Sequence, residues 1–129
     1  MPEPKEQRSG GALNAALANE LGKLIADFTG RGATRSRAFV HQDLVVCLLE
    51  DGVSKAEQNL AAAGKAHLVR HHRDALQYTM GPQLIAAVER LTNRSVRTFL
   101  SGTDEGGSSA IEVFVLAPDG PPPDASRPD

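Results

Sequence analysis

Tryptophan is absent from this 129-residue chain, tyrosine and cysteine occur once each, and no basic excess is present, the formal net charge being −2. With aromatic residues at only 4%, any core must be filled by Leu, Val, Ile and Ala. A lone cysteine excludes an internal disulfide. Cys47 also lies inside the apolar run from Leu44 to Leu49, where it reads as a small core hydrophobe in a reducing compartment. The lack of cationic excess argues against a nucleic-acid binder. Asp119, Asp124 and Asp129 against Arg127 account for the net −2, so the rest of the chain is near neutral. No run approaches the ~20 apolar residues of a bilayer span. Met1 to Gly11 is polar, with neither a signal peptide nor an anchor expected, so a cytoplasmic location follows.

What is present divides into a disordered segment over 1–11, one domain over 12–117 and a disordered Pro-rich tail over 118–129. Leu13, Leu17, Leu21, Leu24, Ile25 and Phe28 recur at steps of three and four, predicting a helix that ends at Gly30 and Gly32. Ser36 to Val40 and Leu44 to Glu50 then read as a β-hairpin turning at His41, Gln42 and Asp43. Its second strand is apolar on both faces, as a central strand would be. Ser54 followed by Glu57 forms a capping box, predicting a short helix to Ala63. Val69, Arg73, Leu76 and Met80 continue a helical period, and Gly81-Pro82 predicts its end and the start of a fourth helix marked by Leu84, Ile85, Val88 and Leu91. Val96 to Ser101 and Ala110 to Leu116 form a second hairpin, in which Ile111, Val113 and Val115 alternate with Glu112 and Phe114. Two hairpins without a parallel crossover predict an α+β fold: a four-stranded antiparallel sheet covered by helices in two layers. Such a sheet leaves one face to be covered, and a homodimer is the economical cover.

The stretches Gly30 to Ala38, Asp43 to Val46, Leu49 to Glu57, Val69-Arg70 with Arg73, Leu91 to Val96 and Glu112 to Leu116 resemble the MpsC-like family of bacterial domains. The resemblance covers roughly Leu13 to Leu116, with Ala33 where that family often has Pro and Asn93 where it often has Gly. It implies a soluble component of a sodium-translocating, membrane-potential-generating system, whose membrane partners resemble inorganic-carbon transporters. A non-enzymatic accessory or regulatory role with a membrane transport partner is the implied function.

Read as chemistry, the loop carrying Arg31, Gly32, Arg35 and Arg37 is a candidate anion site. Glycine exposes backbone N–H groups and guanidinium forks hold carbonate, phosphate or carboxylate, so a small-anion sensor is the alternative function. The competing reading is a helix C-cap followed by solvated arginines on an edge strand. His67 and His71 share a helix face, with His72 beside them. They lack the Glu that follows the first His in zincins and any Cys cluster, so no metal or other cofactor is expected. Arg70 and Arg73 are placed to pair with Glu50 or Glu57 as structural or interface contacts. No nucleophile elbow occurs, Asp43 and Glu50 fall on opposite sides of one strand, and no enzymatic activity is expected.

Overall fold

The computed structural model describes residues 10–30, 35–50, 54–104 and 109–118. The segments expected to be disordered, apart from Gly10, Gly11 and Pro118, lie outside those residues.

Helix α1 (Gly10–Thr29) begins two residues before the expected Ala12 and ends at Gly30, whose φ of +75° is the left-handed turn a C-cap glycine supplies. Leu17, Leu21 and Ile25 are buried and Leu13 and Leu24 partly so, while Phe28, the last of the predicted stripe, is exposed. Strands β1 (Arg35–His41) and β2 (Leu44–Glu50) form the first hairpin, turning with Gln42 at φ +57°. Helices α2 (Lys55–Ala62) and α3 (Ala66–Thr92) follow, then β3 (Val96–Thr103) and β4 (Ser109–Leu116). The sheet is antiparallel throughout in the order β1-β2-β4-β3, so both hairpins are present and the two apolar strands lie in the middle. This is the predicted α+β arrangement.

One expectation is corrected. Gly81-Pro82 does not end a helix: α3 runs 27 residues through it, giving three helices among the described residues rather than four. Proline removes one hydrogen bond, to the Tyr78 carbonyl, and Pro82 is exposed, where water can serve that carbonyl. The buried stripe Met80, Leu84, Ala87 and Val88 continues the line of Val69, Arg73 and Gln77, so packing keeps the helix continuous across the weak point. Gly81 instead provides clearance: a Cβ there would stand 3.4 Å from the Phe99 ring. That close approach seats Phe99 against Phe114, with ring centroids 5.1 Å apart.

Helices α1 and α3 cover one face of the sheet, α1 over β1 and β2 and α3 over β3. On that face β2 buries Val45, Cys47 and Leu49, and β4 buries Ala110, Glu112, Phe114 and Leu116. The opposite face carries the pairs Leu44–Val115, Val46–Val113 and Leu48–Ile111, with no helix upon them. At the α1–β1 contact the backbones approach closely, for Ser36 Oγ donates to the Ala18 carbonyl at 2.8 Å beside Gly22. Among the described residues no helix is long and apolar enough to cross a membrane.

Candidate functional site

Helix α3 changes character along its buried face. Its C-terminal half presents Met80, Leu84 and Val88, whereas its N-terminal half presents Arg73 and Gln77, one turn apart and 3% and 7% exposed. Polar groups so deeply placed must be satisfied locally, and the elements around them are arranged to do so.

Ser54 caps α2, accepting from the Glu57 N–H at 3.1 Å, and Glu57 Oε1 accepts in return from the Ser54 N–H at 3.0 Å. The same carboxylate holds Arg73 through two bonds, Nε to Oε2 at 3.2 Å and Nη2 to Oε1 at 2.8 Å. One glutamate therefore both starts α2 and locks it to α3. Further along the layer, Thr103 Oγ1 donates to Asp74 Oδ1 at 2.8 Å, and Ser101 Oγ donates to Gln77 Oε1.

Glu112 lies at the centre. It is fully buried on β4, in register with Ser101 on one side and Cys47 on the other, and among the described residues neither carboxylate oxygen has a hydrogen-bond partner. Burial pushes its carboxyl up to about 8. Ser101 opposes that rise and the charge of Asp74 adds to it. The group is therefore mostly a neutral carboxylic acid at pH 7, the form a dry interior tolerates. Burial, and secondarily Glu112, pushes the Cys47 thiol up to about 12, leaving it without thiolate character.

A second polar junction closes the opposite end of the sheet. Asn93 caps α3 in the left-handed region at φ 58°, which asparagine adopts more readily than most residues and glycine adopts freely. Arg94 then donates from Nη1 to the Gln42 carbonyl at 3.1 Å and from Nη2 to the Ala117 carbonyl at 2.7 Å, tying the first hairpin turn to the exit of β4. An open cavity of about 400 Å³ lies here, lined by Gln42, Asp43, Arg94 and Pro118.

The residues singled out from sequence are not brought into one site. Arg31 and Gly32 lie outside the described residues. Arg35 and Arg37 are exposed on β1, on the face without helices, with Arg37 Nη2 4.0 Å from Glu50 Oε1. Such an exposed pair contributes at most about 1 kcal/mol. Of the two helix arginines, Arg73 makes the expected ion pair with Glu57, while Arg70 is half-buried beside it in sequence. His67, His71 and His72 are exposed, and among the described residues no group of three His, Cys, Asp or Glu side chains is placed to hold a metal. Sequence reasoning missed Glu112 and Gln77. Local pattern gave no signal for Glu112, which shares its side of β4 with Phe114 and Leu116 while Ile111, Val113 and Val115 make the other side equally apolar.

The molecule is thus a two-layer α+β domain with Arg73, Gln77 and Glu112 buried between its layers. Over residues 9–118 it matches the family described as "Na+-translocating membrane potential-generating system (MpsC)", and the chain belongs to that family. Comparison with curated proteins and with solved structures finds no match.

Proposed function

We propose that the chain is a non-enzymatic accessory or regulatory component of a Na+-translocating membrane system, acting in the cytoplasm through contact with a membrane partner, and that its working unit is a homodimer. The observation that carries this reading is the family match over residues 9–118, which takes in every described helix and strand. Chemistry supports the non-enzymatic part. A catalytic acid, base or nucleophile must reach its substrate, yet Glu112 and Cys47, whose protonation the fold perturbs most, are both fully buried. The Arg73–Glu57 pair is committed to joining two helices.

The test is complementation in the native host. Cells lacking the chain should show a reduced Na+-dependent membrane potential, read with a voltage-sensitive dye, and the parent should restore it. Glu112→Gln and Cys47→Ala, checked for folding by circular dichroism, should restore it equally. An unchanged potential on deletion would overturn the membrane role. Loss of restoration in either folded variant would overturn the non-enzymatic reading.

A further inference from the structure

The face of the sheet without helices is ordered in rows, and each row runs through the strands as β1, β2, β4, β3. One row is Phe39, Val46, Val113 and Leu100. Its edge members are the most exposed apolar side chains of this face, Phe39 at 53% and Leu100 at 58%. The row beside it is Arg37, Leu48, Ile111 and Gly102. The next begins with Arg35 beside Glu50 and continues through Ser109 to Asp104, whose N–H bonds the Ser109 carbonyl.

The two terminal segments outside the described residues lack the composition to cover these rows. Residues 1–9 and 119–129 contain, apart from proline, only Met1 and Ala125 as apolar residues. Arg35 and Arg37 balance Glu50 and Asp104 on this face, so it carries no cationic excess to draw it to anionic headgroups.

A second copy fits the rows. Rotation by 180° about an axis parallel to the strands lays β1 of one copy over β3 of the other, and β2 over β4. Phe39 then meets Leu100, and Val46 meets Val113. The long side chain of Arg37 comes over Gly102, which presents none, and Arg35 comes over Asp104, its opposite in charge. Apolar groups thereby meet apolar groups and Arg35 meets Asp104, while Glu50, which comes over Ser109, keeps Arg37 of its own copy 4.0 Å away. Four strands about 4.8 Å apart and seven residues long at about 3.3 Å each give roughly 450 Å² in plan. Standing side chains raise the accessible area above that, toward the ~800 Å² per partner of a standard interface. We propose that this open face is the isologous interface of a homodimer, stacking the two sheets into a four-layer α-β-β-α assembly with the β1 edge of each copy over the β3 edge of the other. The assignment rests on the dimeric working unit above and is independent of the membrane role.

Light scattering after size exclusion at tens of micromolar reads the mass directly. The parent should elute at twice its 13.7 kDa monomer mass. Phe39→Glu and Leu100→Glu, both at exposed edge positions, should halve that mass while leaving circular dichroism unchanged. Arg35→Asp should raise the dimer dissociation constant several-fold, and adding Asp104→Arg should bring it back. A chain carrying both Phe39→Cys and Leu100→Cys gives a geometric check. Within one copy the two positions are three strand spacings apart, about 14 Å, whereas facing positions of two stacked sheets are about 10 Å apart; both exceed disulfide reach, so a bifunctional thiol reagent spanning about 8–10 Å should yield covalent dimers and no internal bridge. A monomeric parent, including one that instead binds anionic vesicles through this face, overturns the dimeric reading together with the interface. A dimeric parent that stays dimeric in both glutamate variants, or forms no cross-link, overturns the interface and leaves the dimer standing.

Discussion

Replacing Glu112 by Gln should change how stability depends on pH more than any other single substitution in the core. The folded carboxyl titrates at about 8 against an ordinary value of 4.5. The folded state therefore holds a proton that the unfolded state has released throughout the interval between these values. Stability falls wherever the native state binds more protons, so it declines as pH rises from 4.5 and levels off above 8. At 1.36 kcal/mol per unit the whole loss is about 5 kcal/mol, of which about 2 kcal/mol falls between pH 6 and pH 8. Glutamine has nearly the same volume and cannot ionise, so the Glu112→Gln protein should lose this slope and be more stable than the parent at pH 8 by a few kcal/mol. Urea unfolding at pH 6, 7 and 8 measures both quantities. The difference between the two proteins cancels contributions common to both. Parallel stability profiles for parent and Glu112→Gln would refute the reasoning, because they would mean the carboxylate finds compensation that its surroundings do not provide.

Three further outcomes are expected. Arg73→Met should destabilise the domain by about 3 kcal/mol, since it removes both guanidinium bonds from a glutamate whose side chain is only 12% exposed. Arg73→Met combined with Glu57→Leu should recover part of that loss, measurable as a double-mutant cycle in urea. Gly22→Ala would place a Cβ 2.7 Å from Ser36 Oγ and should cost about 1–3 kcal/mol, with Ser36→Ala relieving it; equal melting temperatures for parent and Gly22→Ala would contradict the close α1–β1 approach. Cys47, fully buried with its thiol pushed up to about 12, should react with Ellman's reagent only after denaturation. Prompt labelling of the native protein would show that the core opens.

Much of the fold was legible because its signals are local. The capping box at Ser54 and Glu57 is a backbone requirement written into two side chains, and it appears as read. The apolar run Leu44 to Leu49 marked a central strand, since only a strand with neighbours on both sides and cover on one face tolerates it. The pairing of Arg73 with Glu57 was foreseen as one of several options. Selecting it required knowing that α2 folds back along α3, a property of the turn at Gly64 and of packing rather than of either residue.

The residues themselves determined the α+β class, the two hairpins, the first helix and the inert character of Cys47, because each follows from hydrophobic period, turn chemistry or composition within a few residues. Only the tertiary structure decided whether α3 breaks at Pro82 and which side of β4 faces the helices. The first is a contest between one lost hydrogen bond and the burial of a continuous stripe from Val69 to Val88, and the stripe exists only once the sheet is beneath it. The second is undetermined by alternation, because a strand with apolar residues on both sides has a period but no preferred inside. Docking α1 and α3 on the Phe114 side buried Glu112 with it, and so turned a residue that reads as a surface charge into a neutral acid at the centre of the domain.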